Sequence, residues 1–528
     1  MTIASNDRVG VVGGEAVLVV AGFLALAAAN LVFWRFDYPP LIDMPNHLAR
    51  HALQCASEPA AGLGQYYEYT FSWVPNLTAE LVYALPLACQ SLLTTQKILI
   101  QFATTGLLAA VIVLHAAVWR RWSVWPLLAA FGTHHMAFGY GFENFVLAAP
   151  PVLLGLAPWF LLRDRRAVVR LLPMVPVAGA IYVLHLYAFV FMIGTIGLLE
   201  LQKWWAERKA RDFLTVGALM TLVAAGPVLH LMMVAIGTDG VDAGQTDFGP
   251  AIRRLTVVLS PFTPLGVPYL DSGVLRVASF QLVALCAIWM VVRFRRWTLV
   301  LSPGSRLALG GMFILTIAMP GTLGAVHLSD IRFPVLLLCL AISVSDVRLS
   351  RTAALCLVLA ILAAGLWRTH WLEGRWATHD REVRELLALE SVLTDRDRLL
   401  VARTGHPWDV LLHSHSASHL AREVGLFLPD LFTGGNSLSA RGTYRLRDNF
   451  QPYPVPASRL IEEYHEPRGP DPDAVPYAEL YWTDWQSFYT HVLVLGRPGA
   501  SFPDVKEFGR TVRRGTFFAL YETGFSPE

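Results

Sequence analysis

Charge is what this chain has least of. Only 16% of its 528 residues are Asp, Glu, Lys or Arg, against roughly 25% in soluble proteins. With 54% hydrophobic residues and a mean hydropathy of +0.46, the composition excludes a free-standing soluble enzyme. The net charge is only +2, so no basic surplus is left for nucleic acid. Cysteine is scarce too. There are five, with no CxxC pair and no metal-type spacing. Cys286, Cys339 and Cys356 lie in apolar runs and read as small core residues. Cys55 and Cys89 lie in the first hydrophilic region. They can pair only in an oxidising compartment, and the sequence leaves their distance open. No internal repeat and no long low-complexity tract is visible.

What is present is a series of apolar runs separated by short basic loops. The first run, about Ala16 to Trp34, is long enough to cross a bilayer. Ala27 to Ala29 imitates a signal-peptidase site, but the many later runs favour an uncleaved signal anchor. Basic loops fall at Arg120-Arg121, Arg163 to Arg166, Lys203 to Arg211, Arg293 to Arg296 and Arg348 to Arg351. The positive-inside rule places all five in the cytoplasm.

Parity then constrains the spans. An odd number of crossings must connect the outer Asp43 region to Arg120. The stretch from Leu77 to Leu93, with Glu80, Pro86 and Gln90, reads as a helix on the outer surface, and Ile98 to Trp119 as span two. The run Val168 to Leu201 has basic flanks on both sides and must cross twice, turning near His185-Leu186-Tyr187. The other expected spans are about Trp125–Tyr140, Phe145–Leu162, Phe213–Ile236, Leu275–Val292, Leu307–Ala325, Phe333–Val344 and Ala353–Trp367. The expectation is an α-helical polytopic membrane protein of eleven spans, residues 1–368, whose first outer loop covers 36–96. A soluble extracytoplasmic α/β domain follows over 369–528, with short buried strands at His491 to Gly496 and Thr516 to Tyr521.

On this topology Asp43, Glu143, His185, the loop Gly237 to Asp271 and His327 to Arg332 collect on one face. Asp43, His47 and Arg50 are spaced to share one side of a helix, as an acid/base and anion-binding set. The plain alternative is that Asp43 is the N-cap, with Pro45 in the first turn. Glu143-Asn144 lies where spans three and four meet, beside His134-His135. It reads either as a second acid beside Asp43 or as the anchor of a tight glycine turn. Arg332 opens a late span, where its guanidinium suits a lipid phosphate; an interface anchor or a surface pair with Asp330 is the alternative. His406, His413, His415 and His419 invite a zinc reading, but solvent-facing histidines are the default. A solvated loop is likewise the default for Asp239, Asp242 and Asp247.

Four features together resemble the GT-C superfamily of membrane glycosyltransferases. They are the Asp43 … His47-Leu48-Ala49-Arg50 segment after the first span, the surface helix led by Pro75, the basic pair Arg120-Arg121 closing the next span, and Arg332-Phe333-Pro334 opening a late one. The chain departs from the family's paired acids, since Met44 follows Asp43. The resemblance implies an inverting hexosyl- or pentosyltransferase that uses a polyprenyl-phosphate-linked sugar. Its acceptor would be a cell-envelope glycan, lipid or protein, on the non-cytoplasmic face of a bacterial-type inner (plasma) membrane. It implies Asp43, as general base, and Glu143 as catalytic carboxylates, His47, Arg50, His185, His327 and Arg332 as substrate-binding groups, and a divalent cation as the one cofactor left open. The alternatives are a transporter, which would need polar groups at mid-membrane, and a non-catalytic assembly subunit that presents the tail domain.

Overall fold

The computed structural model describes residues 6–58, 61–208, 210–237, 246–263, 281–283, 285–289, 291, 298–323, 326–432, 438–447, 451, 453–469, 471, 475–502 and 504–526. Asp239, Asp242, the Arg293 to Arg296 loop and most of the expected span Leu275–Val292 lie outside them. The chain divides into two compact units. One comprises Met1–Trp34, Trp73–Ala79 and Lys97–Glu373; the other comprises Arg35–Ser72, Glu80–Gln96 and Gly374–Glu528.

The first unit is helical. Among the described residues of the chain, six helices are long and apolar enough to cross a membrane. They are Gly14–Arg35, Leu92–Trp119, Glu143–Leu162, Ala167–Leu184, Leu186–Glu207 and Arg351–Ser391. Leu214–His230 and Arg306–Ala318 are apolar but shorter, and Phe333–Val344 has only 12 residues. The helix break expected near His185 is present. His185 is extended (φ −166°), and its ring accepts the Tyr187 N–H to start the next helix.

Trp125–Tyr140 corrects the sequence expectation. It is not one spanning helix but a 3₁₀ segment, Trp125–Gly132, and a single turn, Met136–Gly139. The Arg368 guanidinium is held at this break, donating to the Ala130 carbonyl (2.5 Å) and to the Thr133 hydroxyl (3.0 Å). A second buried cation, Arg170, is held bidentately by Glu200 (2.5 and 2.6 Å), whose Oε1 also accepts the Trp159 indole N–H (2.8 Å). Charges placed among apolar helices need such partners.

The second unit is built on a five-stranded sheet. Its order is Arg510–Arg514, Phe518–Glu522, His491–Leu495, Leu399–Arg403, Val455–Pro456. Leu399–Arg403 runs parallel to both of its neighbours; the other pairings are antiparallel. The two strands expected from the tail's apolar runs are therefore present. They are buried along almost their whole length, which is why they read as continuous rather than alternating apolar runs.

Residues between the first apolar helix and the helix Leu92–Trp119 complete this unit. Tyr67–Tyr69 pairs antiparallel with Leu438–Ala440, and the buried Tyr67 hydroxyl donates to the Leu428 carbonyl. The loop also crosses the end of the helix Ala417–Val424 backbone to backbone. A Cβ on Gly425 (φ +84°) would stand 2.7 Å from the Gly62 Cα, so only glycine fits there. Finally, Cys55 and Cys89 form a disulfide across a sequence separation of 34.

Candidate functional site

The helix Met44–Gln54 starts one residue after Asp43, with Pro45 in its first turn. Asp43 stands at the N-cap position, yet its side chain makes no capping hydrogen bond. Its carboxylate instead lies 3.8 Å from Nε2 of His415, and the other ring nitrogen of His415 lies 3.4 Å from Asp430. One buried imidazole is thus set between two carboxylates.

The surrounding bonds fix this arrangement. The Gln451 N–H donates to Asp430 (3.0 Å). The Asn46 amide donates to the Asp430 carbonyl (3.2 Å) and accepts from the Ser418 hydroxyl (2.5 Å). Burial works against charge on His415, but Asp430 and then Asp43 outweigh it and raise its pKa above the ordinary value. Burial also raises the Asp430 pKa, against the lowering effect of His415. The two directions agree if the pair holds one proton between them.

The rest of the expected set divides. Arg50 is committed to Glu80 (2.5 Å), which is itself 3% exposed, and donates to Nδ1 of His47 (3.1 Å). Burial, and next the Arg50 charge, hold the His47 pKa well below its ordinary value, so His47 stays neutral. Its ring meets the edge of Phe432. Arg50 is therefore balanced by a carboxylate, contrary to the expected anion-binding role beside Asp43. Glu80 and His415 were not legible as site residues. Glu80 stood out only as a charge in a weak apolar stretch, and His415 only as one of four tail histidines.

Those four histidines have separate tasks. His406 caps a one-turn helix. His413 stacks on Phe517 and His379 and lies 3.2 Å from Glu382. His419 meets the edge of Tyr38. Among the described residues, no three His, Cys, Asp or Glu side chains gather as a metal site.

The helical unit holds the other candidates. Arg332 begins the helix Phe333–Val344, and its guanidinium lies over the rings of Phe142 (4.3 Å) and Tyr187 (5.0 Å). It donates to the carbonyls of Leu328 (2.8 Å) and His327 (3.2 Å). The alternative pairing with Asp330 is overturned. Asp330 is fully buried and is held bidentately by Arg253 (2.7 and 3.0 Å). His327 presents its carbonyl to Arg332, while the residue is exposed and its ring contacts the Thr322 hydroxyl.

Glu143 is buried and follows a turn in which its N–H donates to Gly141 (2.6 Å; Gly141 φ +76°). Asn144 is structural. It accepts the Ala79 N–H and donates to the Asn76 carbonyl, both at 2.7 Å. His185 packs against Phe145 (5.3 Å), and its Nδ1 serves as the helix cap already described.

No protein-family model matches the chain, and no curated protein is similar to it. Among solved structures, the crystal structure of ArnT from Cupriavidus metallidurans in the apo state matches it with a TM-score of 0.50 at 10% sequence identity. The match covers 99% of this chain and 100% of that one. ArnT is a GT-C glycosyltransferase. At this identity the likeness speaks for the fold alone: the chain shares the overall fold of that structure.

Proposed function

We propose that this protein is an integral-membrane glycosyltransferase that moves a sugar from a polyprenyl-phosphate donor to an acceptor hydroxyl on the non-cytoplasmic face. The observation that carries the reading is Asp43. It takes a helix N-cap position directly after the first apolar helix, but leaves capping aside to face a buried histidine. The GT-C-type fold supports it, as does the disulfide Cys55–Cys89, since such bonds persist in oxidising, non-cytoplasmic compartments.

In this reading Asp43 is the general base. The acceptor oxygen forms a bond to the anomeric carbon as its proton passes to the Asp43 carboxylate. The bond from that carbon to the phosphate oxygen breaks, and the lipid phosphate leaves with the electron pair. The configuration inverts, through an oxocarbenium-like transition state related to that of glycoside hydrolysis. Arg332, lying over two rings, is the group to take the charge growing on the phosphate. Glu143, His47 and His185 are proposed to orient the acceptor. A divalent cation remains a proposal without a gathered ligand set among the described residues.

The test is turnover of a panel of undecaprenyl-phosphate-linked pentoses and hexoses by the purified chain. Asp43→Asn keeps the size and removes the base, so transfer should fall by about 10²–10⁴-fold while donor binding persists. Full activity in Asp43→Asn would remove Asp43 from the chemistry and make Glu143 the next candidate.

A further inference from the structure

We infer that His415, with Asp430 behind it, is the positioning residue of Asp43. This assigns the C-terminal residues of the chain a part in the transfer step, and it rests on the reading of Asp43 as the base. The geometry makes the case. His415 is buried, with one ring nitrogen toward Asp43 (3.8 Å) and the other toward Asp430 (3.4 Å). Asp430 is in turn fixed from both ends, its carboxylate by the Gln451 N–H and its carbonyl by Asn46. Asn46 lies on the helix that Asp43 begins, so the same network sets the helix and the ring.

A buried imidazolium here stabilises Asp43 as a carboxylate and draws it toward the ring. Asp430 supplies the counter-charge, so that the cation is not buried alone. The reacting proton still goes from the acceptor hydroxyl to Asp43, and His415 keeps its own proton throughout. Other ionisable groups that face this site are His47, kept neutral by burial and Arg50, and Tyr481, which feels the Asp430 charge. Neither supplies a second cation. Because Asp430 and Asp43 raise the His415 pKa, the positioning charge is present at low pH and is lost as pH rises through that raised value.

Two measurements on the full chain, in detergent, test this. The first needs no activity: melting temperature against pH, for wild type, Asp43→Asn, His415→Gln and Asp430→Asn. A raised folded-state pKa adds stability that is fully present below the unfolded value, about 6.5, and fades above it. Wild type should show that fade. His415→Gln should lack it, and both aspartate variants should show it reduced, because each removes a charge that raises the folded-state pKa. The second is kcat/KM against pH with the undecaprenyl-phosphate-sugar panel. An opposite charge at such range moves a pKa by about 1–3 units, so Asp430→Asn should move the alkaline limb down by about 1 unit or more. Asp430 touches no reacting atom, so a merely structural role would leave the limb where it is.

Melts that fade identically in wild type and His415→Gln overturn the inference, as does an alkaline limb that Asp430→Asn leaves in place. If no donor of the panel is turned over by wild type, the glycosyltransfer reading fails, and the melts still decide whether His415 is coupled to Asp43.

Discussion

Breaking the disulfide offers the most quantitative test of how the segment between Cys55 and Cys89 is held. Cys55 caps the C-terminus of the helix Met44–Gln54, and Cys89 ends the short helix Pro86–Cys89. The bond therefore closes a loop that contains Tyr67–Tyr69 and Glu80. With a separation of 34 residues, the chain-entropy relation gives about −13 cal/mol/K, or about 4 kcal/mol at 25 °C. That corresponds to nearly a thousandfold change in the opening equilibrium. The perturbation is Cys55→Ser with Cys89→Ser, and the assay is amide hydrogen exchange over residues 44–54 under native conditions. Protection there should fall by about two to three orders of magnitude, whereas the buried strands Leu399–Arg403 and His491–Leu495 should keep theirs. A fall of less than tenfold would refute the reasoning. It would mean that the Gly62–Gly425 crossing, the Tyr67 hydroxyl bond and the pairing with Leu438–Ala440 hold the loop without the cross-link.

Arg332→Lys keeps the charge but loses the flat contact with Phe142 and Tyr187. With about 1–2 kcal/mol at stake in the ring contacts, kcat/KM for the lipid-phosphate donor should fall roughly tenfold or more, chiefly through kcat, since the charge grows only in the transition state; an unchanged kcat would remove Arg332 from leaving-group stabilisation. Glu200→Gln strands the buried Arg170 guanidinium and should cost about 3–5 kcal/mol. The double change Arg170→Met with Glu200→Met should recover most of that in thermal melts, and a double variant no better than the single would show that the pair itself is stabilising.

Much of the architecture was legible because apolar length and alternation are local properties. The helix break at His185 followed from basic flanks on both sides of one long run, and it is where the chain turns. The tail strands followed from short apolar runs. Trp125–Tyr140 was misread because hydropathy does not distinguish a spanning helix from a buried 3₁₀ segment. Arg368, distant in sequence, donates to the Ala130 carbonyl at the end of that segment. Asp43 was singled out by its place after an apolar run, but its partner His415 was not legible. Nor was the role of Arg50, because its partner Glu80 lies in another helix.

The sequence by itself determined that the chain is built around apolar helices, that its tail forms buried strands, and that Asp43 and Arg332 are the residues to ask about. The first two follow from composition and periodicity, and the last from position beside apolar runs together with the family resemblance. Only the tertiary structure decided that Cys55 meets Cys89, that Asp330 belongs to Arg253 rather than Arg332, and that Asp43 faces His415. A carboxylate's partner depends on which charge is brought within a few ångströms of it as the chain folds. The spacing along the sequence carries no record of that distance.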